Sequence, residues 1–151
     1  MKRKALAITL AAVMAMGTCA VTASAADGDK YTIGICQLVQ HDALDAATQG
    51  FKDEVIKELG EDAVTFDEQN AQGDSNTCST IVNSFVSNNV DLILANATPA
   101  LQAAAAGTSD IPILGTSVTE YGVALGLDDF DGTVGGNISG TADLAPVSYT
   151  H

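Results

Sequence analysis

A thiol, an imidazole and a carboxylate lie close together near the start of the chain, at Cys36, His41 and Asp42. A cysteine paired with a histidine is the nucleophile arrangement of cysteine hydrolases, so one hypothesis is a secreted thiol hydrolase. Neighbours on one loop rarely face each other as a catalytic pair must, and Cys36 belongs to an apolar, strand-like run. We therefore expect no catalytic residue here, and favour loop hydrogen bonding or ligand contact for His41.

A second cluster consists of the acidic side chains Asp128, Asp129 and Asp131. Its spacing resembles a calcium-binding loop, which needs regularly spaced carboxylates and a closing glutamate. Leu127 occupies the first ligand position, however, and Ile138 stands where the glutamate is required. We therefore expect a solvated turn and no metal. The sequence also lacks the glycine-rich and lysine-containing loops that hold nucleotides, which predicts no cofactor.

Polar side chains that directly follow apolar, strand-like runs are the strongest functional signal. At 90–100 a strand passes into a helix start with no room for a long loop, and the segments 37–41, 67–74 and 116–121 are rich in amides and hydroxyls. Ligands of open parallel sheets bind outside the carboxyl ends of the strands. The N–H groups at helix starts carry partial positive charge, which suits a carboxylate. Each capping residue alone could serve only its own helix; the repetition indicates a ligand.

Alternating periods predict the elements that position these segments. The predicted strands are Tyr31–Cys36, Ala63–Phe66, Asp91–Ala95 and Ile111–Gly115. The predicted helices are capped by Asp42, Asp74 and Thr98, with Pro99 at the first position of the third, and Gly60 and Gly107 end the first and third. Beyond Ser117 we expect a short strand or turn at 122–127 and an extended segment at 137–141. This order predicts an α/β fold, a doubly wound parallel sheet in one Rossmann-like lobe.

The first 25 residues have the features of an export signal. Three basic residues precede the apolar stretch Ala5–Met16, and Ala23-Ser24-Ala25 forms a small-residue cleavage site. This stretch of twelve residues, apolar except for Thr9, spans about 18 Å, short of the roughly 30 Å hydrocarbon core of a membrane. We expect cleavage after Ala25 and a short linker at 26–30, with lipidation of Cys19 as the alternative. Either route predicts a periplasmic, cell-surface or extracellular protein.

Charge and cysteine content restrict the partners of the remaining chain. Removal of the first 25 residues leaves three lysines against nineteen acidic residues, a formal net charge of −16. This negative charge repels the phosphate backbone of nucleic acids, so we expect no nucleic-acid partner, whereas zwitterionic small molecules can approach. An oxidising exterior would allow Cys36 and Cys78 to pair, but their places in a strand and a helix favour buried free thiols.

Five runs stand out along the chain: Ile33–His41 with Ala43–Asp45, Asn70–Asp74, Asn88–Ile93, Ala95–Ala100 and Asn137–Thr141. Together, over about residues 31–145, they resemble the tryptophan/tyrosine-type family of ABC-transporter solute-binding proteins. The resemblance implies a type I periplasmic-binding-protein fold, in which two α/β lobes close on a small ligand, here an aromatic amino acid. It also implies delivery to an ABC permease in the membrane, by a protein that is a monomer at full length.

The resemblance further implies a set of ligand-binding positions. Ala97, Thr98, Thr116 and Ser117 would hold the ligand carboxylate, and Gln37, Gln40 and Asn70 would line the rim. From the polar segments themselves we add His41 and Asn96. Tyr121 is a further candidate, because its ring could stack on an aromatic ligand or simply pack in the core.

The chain departs from that family in length, since family members are much longer. We expect residues 31–145 to be an incomplete N-terminal lobe and residues 146–151 to be a non-native tail that resembles a translated sequencing adapter. A lobe alone would bind weakly and expose apolar faces. An extracellular sensor lobe of the same fold is the alternative to a transport receptor.

Overall fold

The computed structural model describes residues 30–143. Its strands are β1 (Tyr31–Gln37), β2 (Val64–Asn70), β3 (Leu92–Asn96), β4 (Ile113–Val118) and β5 (Ile138–Ala142). Its helices are α1 (Asp42–Leu59), α2 (Ser75–Ser87), α3 (Thr98–Gly107) and α4 (Tyr121–Leu125), and a 3-10 turn, Glu61–Ala63, precedes β2. Strands and helices alternate along the chain as predicted.

All five strands pair in parallel, in the order β2-β1-β3-β4-β5. The chain moves from β1 outward to β2 and then returns to place β3 on the other side of β1. The direction of winding therefore reverses between β1 and β3, and in open α/β sheets the crevice for a ligand lies at this reversal. The predicted α/β fold with a doubly wound parallel sheet is confirmed.

The helices cover the two faces of the sheet unequally. Alternate residues of a strand point to opposite faces of the sheet. On one face, Ile33 and Ile35 of β1 and Leu94 of β3 pack against Phe51 and Val55 of α1. Helices α2, α3 and α4 cover the other face, where the larger buried cluster includes side chains from all three. The two layers hold the carboxyl ends of the strands at one edge.

Two of the three predicted helix caps are displaced by one residue. Asp74 caps α2 as predicted, because its carboxylate accepts a hydrogen bond from Thr77 N at 2.8 Å. For α1 the prediction of Asp42 is wrong, since His41 Nδ1 accepts from Ala43 N at 3.2 Å and Asp42 is the first helical residue. Thr98 is likewise the first residue of α3, and its cap is the preceding residue. Gly60 ends α1 as predicted.

The strands run further towards their carboxyl ends than their apolar residues indicate. β2 continues to Asn70, so residues 67–70, predicted as a loop, are paired with β1. β4 similarly continues to Val118, beyond the predicted end at Gly115. Backbone pairing with a neighbouring strand does not require apolar side chains, which is why the polar ends of these strands were missed.

The segment after Ser117 contains a helix that the sequence did not predict. Residues 122–127 were expected to form a strand or turn, but the chain forms α4 there. The Glu120 carboxylate caps it by accepting from Gly122 N at 2.8 Å and from Val123 N at 2.5 Å. Five residues are too few to show a helical period. The extended segment predicted at 137–141 is confirmed as β5.

Other expectations concern segments beyond the described residues. The export signal, the linker up to residue 29, Cys19 and the tail at 146–151 all lie outside 30–143. Across 30–143, none of the helices has both the length and the apolar character needed to cross a bilayer.

Candidate functional site

Four polar residues from four strands form one row at the carboxyl edge of the sheet, which we call the polar row. Strand register pairs Asn70 with Gln37, Gln37 with Asn96, and Asn96 with Thr116. All four were predicted as ligand-binding positions from segments distant in sequence. The register therefore brings them together across the point where the winding reverses, and their contact with a ligand stays a prediction.

Two members of the polar row are buried and hydrogen-bonded to α1. Gln37 is 4% exposed, and its Nε2 donates to Asp45 Oδ1 at 2.6 Å and to Val39 O at 3.0 Å. Asn96 is fully buried, and its Nδ2 donates to Leu44 O at 2.8 Å. These bonds join the ends of β1 and β3 to the first turns of α1. Gln37 and Asn96 thus support the edge from below, whereas Gln40 and Asn70 are exposed on it.

The Oδ1 atom of Asn96 is buried without a hydrogen-bond partner among the described residues. Burying an amide oxygen without a partner costs about 1–3 kcal/mol by mutational measures. Rotating the amide would not relieve this, because it would place the oxygen against the carbonyl of Leu44. The atom lies at the last position of β3, next to the start of α3. This acceptor therefore lies at the carboxyl edge of the sheet, beside the N-terminus of α3.

The backbone at the same edge takes up conformations that non-glycine residues rarely adopt. Gln72, Ala97 and Ser117 have φ angles of 54°, 90° and 56°. Gln72 and Ala97 come after the ends of β2 and β3, and Ser117 is the penultimate residue of β4. Such positions cost on the order of 1–3 kcal/mol each and cluster at ligand sites. Ala97 is held in place because its N–H donates to Thr116 O at 3.0 Å.

The start of α3 presents backbone N–H groups at this edge. The first residues of a helix have no intrahelical acceptor, and Pro99 in the first turn has no N–H, so Thr98 and Ala100 supply the donors. Ala97 caps the helix without a side-chain hydrogen bond. This contrasts with α1 and α2, whose first N–H groups are bonded by His41 and Asp74. The start of α3 is therefore the helix terminus best suited to accept an external carboxylate.

Replacing Ala97 with glycine should stabilise the chain. With φ 90° and ψ 159° this residue lies in a region that glycine alone occupies easily. Relief of strain should exceed the entropy that glycine adds to the unfolded chain, giving a net gain of about 1 kcal/mol. Urea unfolding measures the change, with Ala105→Gly inside α3 as the control, which should instead lose about 1 kcal/mol. Equal losses in both variants would contradict strain at Ala97.

Tyr121 lies within the core and not on the open edge. It is 6% exposed, its hydroxyl donates to Thr141 O at 3.3 Å, and burial raises its pKa. Its ring packs against the β4–β5 pair, close to Gly115 and Gly140. Of the two roles considered for this residue, the geometry favours packing. Ring stacking on a ligand stays a prediction.

A cavity of about 520 Å³ lies between α4, the loop at 130–135 and β5. Its lining includes Glu120, Tyr121, Phe130, Ile138 and Ala142. Tyr121 alone among the predicted ligand-binding positions lines it. The Glu120 carboxylate already accepts hydrogen bonds from the first N–H groups of α4. The cavity is therefore mainly apolar, and it lies beside β5.

The groups considered for a thiol hydrolase are separated by the sheet. Cys36 is fully buried on the face covered by α2, where its thiol contacts that of Cys78. His41 is exposed and caps α1 on the other face. Burial raises the pKa of both thiols above their ordinary value of 9.0, and Cys78 raises that of Cys36 further. A buried, protonated thiol without an imidazole is not a nucleophile. The predicted hydrogen-bonding role of His41 is confirmed, because its ring caps α1. The prediction of buried free thiols is confirmed as well.

These thiols should make the chain less stable in alkali. The folded-state pKa is raised, so above about pH 9 the unfolded chain loses thiol protons that the folded chain keeps. The free energy of unfolding should then fall as pH rises, by up to about 1.4 kcal/mol per pH unit for each thiol. Urea unfolding between about pH 8 and 10 measures this loss. The Cys36→Ala/Cys78→Ala variant should have a shallower pH dependence, and an equal slope would contradict the prediction.

The acidic residues 128, 129 and 131 form an exposed turn, as predicted. Asp131 Oδ1 accepts a hydrogen bond from Thr133 N at 3.0 Å, and Asp129 has a φ of 57°. Within residues 30–143, no group of three or more histidine, cysteine or acidic side chains is arranged to hold a metal ion.

Sequence reasoning missed Thr48 and Asp45, the α1 residues that bond to the polar row. Thr48 is 3% exposed and lies one helical turn from Leu44 and from Phe51, on the face of α1 that packs against the sheet. A hydroxyl at such an inward position is a signal that a buried polar partner exists. Its partners could not be named before the strands were aligned.

Comparison with known proteins gives the family. Residues 32–150 match the family described as ABC transporter substrate binding protein. A curated relative, the tyrosine-binding protein of Clostridioides difficile strain R20291, is 44% identical over 78% of this chain. The chain covers 34% of that relative, so it spans about a third of its length.

Solved structures share the lobe. The ligand-free, open structure of a substrate-binding protein with adhesive properties from Clostridium difficile is 44% identical, with a TM-score of 0.70 over 78% of this chain and 40% of that one. An ABC domain in complex with L-Trp from Streptococcus pneumoniae is 32% identical, with a TM-score of 0.69 over 77% of this chain and 39% of that one. The predicted type I periplasmic-binding-protein lobe is confirmed. With a family match over most of its length and this lobe, the chain belongs to the ABC transporter substrate-binding proteins.

Proposed function

We propose that this chain is the N-terminal lobe of an exported receptor that binds an aromatic L-amino acid and delivers it to an ABC permease. The ligand assignment is supported by two relatives, one named for tyrosine binding and one crystallised with L-Trp. The observation that carries the proposal is the meeting of the polar row with the start of α3 at one edge of the sheet. We propose that the protein acts by binding and not by catalysis.

The α-carboxylate of the ligand is the group that the start of α3 would recognise. The N–H groups of Thr98 and Ala100, with the hydroxyl of Ser117, would donate to its oxygens, and Thr116 lies beside them. A helix terminus contributes up to about 2 kcal/mol to a partly buried anion. The exposed Gln40, His41 and Asn70 would border the ligand at the ends of the neighbouring strands.

One lobe cannot supply the whole affinity of such a receptor. Micromolar binding requires about 8 kcal/mol, several times the contribution of one helix terminus. The remainder would come from burial of the ligand between two lobes, as in ligand sites generally. We therefore expect the chain of 151 residues to bind an amino acid weakly and the product of the whole reading frame that contains it to bind tightly.

Calorimetric titration of that product with L-tyrosine and L-tryptophan tests the proposal. Tyramine, which keeps the phenol and the amine of tyrosine but lacks the carboxylate, is the matched control ligand. We expect tyramine to bind at least about a hundredfold more weakly, because it leaves the donors of α3 unpaired. Equal binding of tyrosine and tyramine would contradict recognition through α3, and binding of neither aromatic amino acid would contradict the ligand class.

A sensor lobe of the same fold is the second candidate. It would use the same carboxyl edge to report the ligand instead of delivering it. Uptake of labelled L-tyrosine by cells that express the reading frame with its neighbouring permease genes separates the two. Loss of uptake on deletion of the receptor gene supports transport, and unchanged uptake favours the sensor.

A further inference from the structure

The hydroxyl of Thr48 joins both buried members of the polar row. Its Oγ1 donates to Gln37 Oε1 at 2.8 Å and accepts from Asn96 Nδ2 at 2.9 Å, and its side chain is buried on α1. We propose that Thr48 is a positioning residue for the ligand edge: its buried hydroxyl links Gln37 to Asn96 and, through them, holds the backbone on which the ligand would rest. This inference rests on the proposed function for its consequence in binding.

The directions of the hydrogen bonds form one consistent chain. Asn96 Nδ2 donates to the Thr48 hydroxyl, which uses its single proton on Gln37 Oε1. Gln37 Nε2 is then left with two protons and two acceptors, the Asp45 carboxylate and Val39 O. A reversed Gln37 amide would set its oxygen against those two acceptors, and its nitrogen would compete with Asn96 for the Thr48 oxygen. The acceptors Asp45 and Val39 O thus fix the Gln37 amide, Leu44 O fixes the Asn96 amide, and the Thr48 hydroxyl, which both donates and accepts, links the two.

The two amides control different parts of the ligand edge. Gln37 holds Val39 in the loop between β1 and α1, the loop that also contains Gln40 and His41. Asn96 immediately precedes Ala97, whose strained conformation begins α3. β1 and β3 are the strands between which the winding reverses. Thr48, which lies on α1, thus connects the β1–α1 loop to the β3–α3 junction, the two backbone segments that border the proposed crevice.

Substitutions at Thr48 can separate the hydroxyl from the methyl group. Thr48→Val keeps the shape and loses the hydroxyl, and Thr48→Ser keeps the hydroxyl and loses the methyl. Thr48→Ala differs from Thr48→Ser by the hydroxyl alone, so this pair serves if the valine variant does not fold. Thr80→Val is the control, because Thr80 lies exposed on α2 and donates only to Asn76 O of its own helix.

Hydrogen exchange of the chain without ligand is the first measurement. We expect Thr48→Val to lower the protection of the amides of Leu38 and Ala97 by at least about tenfold, since the bonds of both junctions lose their support. The side-chain amide signals of Gln37 and Asn96 should lose their distinct chemical shifts in the NMR spectrum. Thr48→Ser should retain both properties, and Thr80→Val should leave them unchanged.

Tyrosine affinity of the whole reading-frame product is the second measurement. The hydroxyl-free variants should raise the Kd for L-tyrosine by about tenfold or more, whereas Thr48→Ser should stay within about threefold of the parent. If alanine and serine variants have equal exchange and equal affinity, the positioning role is overturned. If L-tyrosine does not bind the parent protein, the proposed function fails, and the exchange measurement still decides the role of Thr48.

Discussion

Replacing Phe85 with alanine is expected to lower the free energy of unfolding by about 3–5 kcal/mol. Phe85 is fully buried on α2 and packs against β1, where its ring lies 2.7 Å from the position that a Cβ on Gly34 would occupy. The methyl group of alanine is too small to occupy the volume of the ring, so the variant leaves a cavity between α2 and the sheet. Urea unfolding measures the loss. Val123→Ala, at an 83% exposed position, is the control and should change it by less than about 0.5 kcal/mol.

The contact between Gly34 and Phe85 should make their substitutions non-additive. Gly34→Ala alone would force a methyl into the ring and cost about 1–3 kcal/mol. In Gly34→Ala/Phe85→Ala the same methyl would enter the cavity, so the double variant should lose at least about 1 kcal/mol less than the sum of the single losses. Strict additivity would show that Gly34 is not the residue that receives the ring.

Gly140→Ala is the second substitution expected to have a large effect, because it should detach β5 from β4. A Cβ at this position would overlap the hydroxyl of Tyr121 and the backbone oxygen of Gly115, and would lie 2.9 Å from the carbonyl carbon of Gly115. A side chain can move away, but the backbone of the paired strand cannot move without losing the pairing. We expect a loss of at least about 1–3 kcal/mol and faster amide exchange along β5.

Gly115→Ala provides the matched contrast on the neighbouring strand. The atoms nearest to its Cβ would all belong to the Tyr121 side chain, namely the hydroxyl and ring atoms 3.1 Å away. Tyr121→Phe removes that hydroxyl, so it should recover much of the stability lost by Gly115→Ala and little of that lost by Gly140→Ala. Urea unfolding of Gly115→Ala and Gly140→Ala, each with and without Tyr121→Phe, tests this difference. Equal recovery in both backgrounds would contradict the assignment of the backbone clash to Gly140.

The sequence alone predicted the features that depend on residues near one another in the chain. Alternation of apolar runs and helical periods identified the parallel α/β fold, and the cap at Asp74 and the end of α1 at Gly60 followed from their residue types. The polar segments after the strands predicted residues that do meet at the carboxyl edge of the sheet, and their contact with a ligand stays a prediction. The runs quoted above also predicted the family, which the comparisons confirm.

Only the tertiary structure decided how the predicted residues are used. Gln37 and Asn96 were expected beside a ligand, but the register of β1 with β3 and the packing of α1 turn their amides towards Thr48 and Asp45. Tyr121 is buried against β4 and β5, and its hydroxyl donates to Thr141 O, twenty residues further along the chain. Strand pairing and helix packing join segments far apart in sequence, and a local pattern does not record which partner a buried polar group will meet. The ends of the strands, the conformation of Ala97 and the role of Thr48 all depend on such distant contacts, and so they became visible only in the folded chain.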